Sequence, residues 1–443
     1  MIAAISSSWA LFLGMALLMT ANGLQGSLLG VRASIEAFPT TVTGLLMSAF
    51  YFGFLAGSIL TPKMVIRVGH VRVFAALASL ASTAILIHAV IVNPASWAAM
   101  RLVSGLCYAG LYVVAESWLN EKATNENRGQ LLSVYMALSM GGMAVGQGLL
   151  NVGDPGHADL FILVSILVSL ALIPMLLSVN RGPVMDEPSP ISIKEVYRAS
   201  PTGVVAALMN GILMGGVFGM GAVYGGLLGF SVPAISLFMS TLIVGGVLFQ
   251  WPIGRLSDRY DRRLILTVVT LAAAGLALIA GLAAFSFKLL LATIFLFGGM
   301  LIPMYSIAIA YANDHLNPEQ MVAASGTLVL VGGIGAFIGP TFVAGAMDIF
   351  GPEGFFWALA STHTALGLFI LYRMTQRPAL PPDEQGSYVA WTARTTPVAG
   401  EMYGEAASEV IDQVTDDDDR EAEKTEEGEY PLQEQKAPLP NPS

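Results

Sequence analysis

The residues best equipped for charge chemistry lie in GRLSDRYDRR, Gly254 to Arg263, which packs four arginines and two aspartates into ten positions. Asp258 and Arg262 stand i, i+4, the spacing at which a carboxylate and a guanidinium meet on one helix face. Asp314, in YANDHLN, is placed to give the same arginine a second carboxylate. Arg101, in RLVSG, is the one unambiguous charge deep inside an apolar stretch, and Glu116 stands near the end of that stretch, within reach of Arg67, Arg72 or Arg128. Arg32 and Glu36 repeat the i, i+4 spacing elsewhere. Charges inside apolar segments are costly and are therefore candidates for function. Arg101 reads either as a functional charge or as a structural arginine bonded to backbone carbonyls. Glu36 reads either as a protonatable site or as half of an interfacial ion pair.

The elements that must hold these groups are membrane helices. Of 443 residues 55% are hydrophobic and 12% charged, and the mean hydropathy is +0.67. Windows of about 20 apolar residues are long enough to span a bilayer. Twelve are present, at 9–30, 42–62, 72–92, 95–119, 130–150, 159–179, 202–229, 232–252, 264–285, 288–312, 321–347 and 354–374. The 47 glycines suit close helix contact in lipid. The longest gap falls at the centre, which predicts an all-α integral membrane protein of two six-helix bundles, 1–180 and 202–377, joined by a linker at 181–201.

Basic residues concentrate in loops after even-numbered spans, while the other side has only Arg32 and Lys288. The positive-inside rule then places both termini and GRLSDRYDRR in the cytoplasm. Residues 1–377 hold 17 of the 21 Lys+Arg and 15 of the 31 Asp+Glu, so the net charge of -10 belongs to 378–443. That acidic stretch, with its proline clusters and Asp416 to Asp419, predicts a disordered cytoplasmic tail. The single cysteine, Cys107, excludes an intramolecular disulfide. No Walker loop or His/Cys cluster is present, so neither ATP-driven transport, a metal nor another cofactor is expected, and the basic loops are no sign of nucleic-acid binding.

RVGHVRV from Arg67 and RYDRRLI from Arg259 occupy equivalent loops of the two halves, as expected of parallel repeats. The second loop resembles the major facilitator superfamily signature G-x-L-x-D-R-x-G-R-[RK]: Gly254, Leu256, Asp258, Arg259, Arg262 and Arg263 match, and Asp261 stands where the family has glycine. In the first half the pattern is broken at Pro62, Ile66 and His70. The asymmetry, with NENRGQ and the AESWLNE run, resembles the YcaD-like branch of bacterial members. The resemblance implies that the cluster, with Asp314 and Glu116, latches the halves in the outward-facing state and breaks when the cytoplasmic side opens. It also implies that Arg101 and Gly105 form a proton-coupling motif. Spans 1, 4, 7 and 10 would line the cavity, with Asn22, Gln25, Tyr108, Tyr112, Asn210 and Tyr305 as candidates beside Arg101. One arginine among neutral polar and aromatic groups suits an anionic or amphipathic solute better than a cation.

Span 11 carries GGIGAFIGPTF, in which Gly335, Gly339 and Pro340 can kink and closely pack a helix. Span 5 has Gln147 where drug antiporters carry proline, so drug export is not indicated. The expectation is a monomeric secondary transporter of a small organic solute in the bacterial inner membrane, driven by protons and working by alternating access. A receptor or scaffold signalling through the acidic tail is the competing class.

Overall fold

The computed structural model describes residues 8–124, 127–178, 191–283, 286–381, 385–386, 388–391, 396–400 and 402–406. It is helical, with twelve long helices among the described residues. They are α1 (Trp9–Ile35), α2 (Thr40–Val68), α3 (His70–Val90), α4 (Pro94–Lys122), α5 (Arg128–Leu149), α6 (Asp159–Ser178), α7 (Pro201–Leu227), α8 (Val232–Arg259), α9 (Arg262–Leu282), α10 (Phe287–Asn313), α11 (Pro318–Phe350) and α12 (Gly354–Met374). Each coincides with one of the twelve apolar windows. Eleven are long and apolar enough to cross a membrane. The remaining one, α5, is diluted by glycine, serine and glutamine, because it packs through small residues against α1: a side chain at Gly146 would meet the Thr20 carbonyl oxygen at 2.3 Å.

Local chemistry sets the ends of these helices. Pro94 occupies the first position of α4, and the Asn93 side chain accepts from the Ala95 amide at 2.9 Å. Gly69, at φ +89°, turns the chain sharply between α2 and α3. Asp261, the departure from the family pattern, is the N-cap of α9 and accepts from the Arg263 amide at 2.9 Å. A seven-residue helix at Ile193–Ala199 within the linker starts in a Ser192/Glu195 capping box.

The two six-helix halves meet directly at the end away from the basic loops. Gly30 of α1 faces Ala222 of α7, and Ser48 of α2 bonds Thr341 of α11 at 2.7 Å. Ser236 of α8 donates to the Gln147 carbonyl of α5 at 2.5 Å. Within the C-terminal half, the Gly335–Gly339 stripe lets α11 lie against α7: a Cβ at Gly335 would come within 2.1 Å of the Leu208 carbonyl oxygen. At the basic end the halves separate, and a groove of about 770 Å³ opens between α5 and α8.

Chain beyond α12 enters this end. The expected solvated tail does not describe residues 388–406 where they are placed: Trp391, Thr396, Val398, Ala399, Met402 and Tyr403 are buried, and 397–400 and 402–406 are helical. Averaged over 378–443 the composition predicts solvation, because that stretch is acidic and carries proline clusters; 388–406 itself has one proline and holds Tyr388, Val389, Trp391, Val398, Met402 and Tyr403. The groove supplies apolar surface and hydrogen-bond partners that the segment lacks on its own. Residues 407–443, including the aspartate run, lie outside the described residues.

Candidate functional site

Between the halves lies a small space of about 70 Å³. The N-terminal half lines it with Phe50, Tyr51, Phe54, Leu55 and Ser58 of α2. The C-terminal half adds Asn210 and Met214 of α7, Tyr305 of α10, and a stretch of α11 around Gly332 and Gly333. Asn210 is fixed by its Nδ2, which donates to the Leu301 carbonyl at 3.2 Å. None of the lining side chains carries a charge.

Of the residues singled out from sequence, Asn210 and Tyr305 line this space. Asn22 and Tyr112 meet each other instead, with Nδ2 donating to the phenol oxygen at 2.6 Å. Tyr108 and Tyr112 pack behind the cavity wall, with ring centroids 6.2 Å from Phe50 and 5.9 Å from Phe54. Gln25 is buried in α1. Reasoning from helix number alone missed α2 and α11. Their glycines were visible, but a helix's cavity-facing side depends on its neighbours' packing.

Arg101 is 5% exposed, with its guanidinium carbon 4.4 Å from the centre of the Phe50 ring and Nη2 at 3.5 Å from the Met47 sulfur. A cation over an aromatic face gains electrostatic stabilisation in an apolar setting. Arg101 thus lies behind Phe50 and is not part of the lining, which removes the ground for preferring an anionic solute. Glu36 pairs with Arg32 at 2.6 Å at the end of α1.

At the basic end the i, i+4 spacing brings Asp258 to Arg262, with Nη2 to Oδ1 at 3.2 Å. Asp314 takes Arg262 Nη1 on both oxygens, at 2.6 and 2.7 Å. One guanidinium nitrogen thus reaches both carboxylate oxygens, and such charge-assisted contacts are stronger than neutral ones. Burial nevertheless pushes the Asp314 carboxyl up to about 6, against the pull of Arg262 and of the Gly386 amide. These pairs remain closed although the halves stand apart here, because all three members ride on α8, α9 and the end of α10. Arg263 donates to the Arg377 carbonyl at 2.8 Å, and Arg259 is exposed. Gly254 faces the Tyr388 ring, 2.6 Å from where a Cβ would stand.

Glu116 makes no ion pair with Arg67, Arg72 or Arg128. Fully buried, it accepts from the Tyr135 hydroxyl at 2.6 Å and from the Thr396 hydroxyl. Arg128 bonds Asn120 at 3.2 Å and pairs with Glu405. In the first-half loop, His70 Nε2 lies 2.8 Å from Ser117 Oγ, a neutral contact where the second half has charges. Among the described residues no three His, Cys, Asp or Glu side chains gather in a way that could hold a metal.

A family model described as Major Facilitator Superfamily matches residues 11–232 and 199–400. "Uncharacterized MFS-type transporter Ent638_1421" of Enterobacter sp. (strain 638) is 29% identical over 371 residues, covering 83% of this chain and 96% of the relative. "Uncharacterized MFS-type transporter YcaD" of Escherichia fergusonii is 27% identical over 370 residues, with the same coverage of 83% and 96%. Among solved structures, a mutant of nucleoside transporter NupG aligns with TM-score 0.72 at 13% identity, over 83% of this chain and 99% of that one. A D-xylose-proton symporter aligns with TM-score 0.62 at 14% identity, over 83% and 97%. Likeness at such identities establishes the fold.

Proposed function

The chain belongs to the Major Facilitator Superfamily, and from that premise we propose that it is a secondary transporter moving a small, uncharged or amphipathic organic solute by alternating access. The observation that carries this reading is the asymmetry of the interface between the halves: closed by direct packing at one end, open at the other, with a cavity between. Rocking of one six-helix bundle against the other around such a site is how this architecture exposes a solute to each side in turn. The basic loops support a cytoplasmic open end, and with it an inward-facing state and two cytoplasmic termini. Tyr51, Ser58, Asn210 and Tyr305 supply hydrogen bonds within an aromatic and aliphatic wall, which suits a solute with an apolar body and neutral polar groups. The protein acts as a monomer in the plasma membrane and needs no cofactor.

A proton gradient supplies the energy. Glu116 is a buried carboxylate held by two hydroxyls, so it can take up a proton without breaking an ion pair. Arg101 acts through its charge on the wall at Phe50. The Asp258–Arg262–Asp314 cluster holds the cytoplasmic ends of α8, α9 and α10 as one rigid body during the rocking motion.

The first test is thermal stability of the purified protein in detergent against pooled nucleosides, sugars, organic acids, amino acids and cationic drugs, because a ligand that binds only the folded state raises the melting temperature. The pool that shifts it is then followed into vesicles under a pH gradient. Accumulation of a neutral solute that Glu116→Gln abolishes, while the variant still inserts, is expected. A shift confined to charged solutes overturns the substrate class, and pH-driven flux retained in Glu116→Gln overturns the role of that carboxylate.

A further inference from the structure

The described residues between Gly386 and Ala406 touch both halves at the open end. On the C-terminal side Gly386 donates its amide to Asp314 at 3.0 Å and accepts from Arg262 Nη2 at 2.5 Å. The Tyr388 amide donates to Asp258 at 2.7 Å, and Gln250 Nε2 donates to the Tyr388 hydroxyl at 2.8 Å. Trp391 is buried, its amide donating to Ser306 at 2.9 Å and its ring standing edge-on to Tyr305 at 6.0 Å. Its other side stacks on Tyr403 at 4.3 Å. The helical residues that follow lie on α11, where Gly404 comes so close that a Cβ would stand 2.8 Å from Val322 Cα. On the N-terminal side Thr396 caps Glu116 and Glu405 pairs with Arg128.

We propose that these residues form an internal plug: the cytoplasmic opening is a binding site for residues 386, 388–391, 396–400 and 402–406 of the same chain, and in their docked position they block the way to the central cavity. The inference rests on the transport reading for its purpose, but the docking and the blockage stand without it. Three observations carry it. The segment's main chain satisfies the Asp258–Arg262–Asp314 cluster, so the binding is built by groups that hold polypeptide rather than by apolar contact alone. Trp391 leans on Tyr305, a cavity-lining residue, so the segment lies across the route from cavity to cytoplasm. Contacts on α4 and α5 as well as α8, α10 and α11 mean that the halves cannot close at this end until the segment leaves. A ligand that fits one conformation shifts the population toward it, and a tethered ligand does so at high effective concentration. The plug therefore holds the transporter inward-facing and occupied by its own chain, and solute passage requires its departure.

Cysteine accessibility in the full-length protein tests both halves of the proposal. Ala399 and Ser58 are buried, Ser58 in the cavity wall, Ala379 is exposed in the chain leading to the segment, and the native Cys107 is buried. With a water-soluble maleimide, Ala399→Cys should react at least about tenfold more slowly than Ala379→Cys. Adding Gly404→Leu, which α11 leaves no room for and which lies outside the bundle, should raise the reactivity of both Ala399→Cys and Ser58→Cys about tenfold or more. Equal rates for Ala399→Cys and Ala379→Cys would overturn docking. A Ser58→Cys rate indifferent to Gly404→Leu would overturn blockage. Protection and release as expected, with no flux of any solute pool before or after release, would leave the plug standing and defeat the transport reading instead.

Discussion

The two ends of the interface between the halves are built from different materials. At the end away from the basic loops, small residues let the helices meet directly: Gly44 of α2 sits where a Cβ would come 2.4 Å from that of Ala344. Neutral hydroxyls such as Ser48 and Thr341 supply the hydrogen bonds there. At the basic end the halves are joined by a third party, the segment from Gly386 to Ala406, through carboxylates, guanidiniums and two aromatic rings. Close-packed helices without long side chains between them have few ways to rearrange, whereas a tethered strip held by separate polar contacts can leave as a unit. The contrast teaches that the end closed by direct packing is the stable one in this state, and that the open end is governed by a detachable part.

The largest expected effect comes from breaking the packed end. Gly44→Val has no room against Ala344 and the Pro340 carbonyl oxygen, and overpacking of this kind costs roughly 1–3 kcal/mol. We expect a lowered melting temperature and faster labelling of Ser48→Cys; an unchanged melting temperature and label rate would mean that the contact is not close. Trp391→Ala should match it. It removes the buried indole between Tyr305 and Tyr403, a truncation that costs about 3 kcal/mol in a well-packed site. Amide exchange should then accelerate over 396–406 by one to two orders of magnitude while α1–α12 keep their protection. Uniform acceleration across the bundle would show that the segment is part of the core and not detachable.

A smaller effect follows from Asp314, whose folded-state value is raised from 3.8 to about 6 by burial. A raised value means that the folded protein binds the proton more tightly than the unfolded chain. This group's contribution to stability is therefore complete below pH 4 and lost as pH rises through 6. Asp314→Asn cannot titrate, so the gap between the melting temperatures of parent and variant should change across pH 4 to 7 and be flat above it. A gap independent of pH throughout that window would reject the burial argument. Smallest of all is Arg32→Ala. The Arg32–Glu36 pair is partly exposed, at 14% and 29%, and surface pairs contribute about 0.5 kcal/mol. A loss several times larger would show that ion pairing, and not small-residue packing, holds the far end.

Much of the scaffold was legible because membrane helices announce themselves locally. Each of the twelve apolar windows became a long helix, and the i, i+4 spacing of Asp258 and Arg262 did bring those charges together on Asp314. The Gly335–Gly339 stripe was readable as a close-packing face for the same reason: a missing side chain every fourth residue marks one side of a helix. The cavity was less legible. Asn210 and Tyr305 stand out in the sequence, but Tyr51 and Ser58 of α2 do not, because their orientation is set by how α2 crosses α11. Arg101 was visible as a buried charge, and only its position over Phe50 removes it from the lining.

By itself, the sequence determined what short-range physics can decide: which segments prefer lipid to water, where helices start and stop, which side of the membrane the basic loops favour, and which charges share a helix face. The tertiary structure alone decided which faces line the cavity, that Glu116 is held by hydroxyls, and that Trp391, Thr396 and Tyr403 are buried. A short strip with a few aromatic and aliphatic residues has too little apolar surface of its own to offset chain entropy. It becomes ordered where two helix bundles, distant in the chain, leave a groove whose carboxylates, guanidinium and aromatic rings match it, and no local pattern records that match.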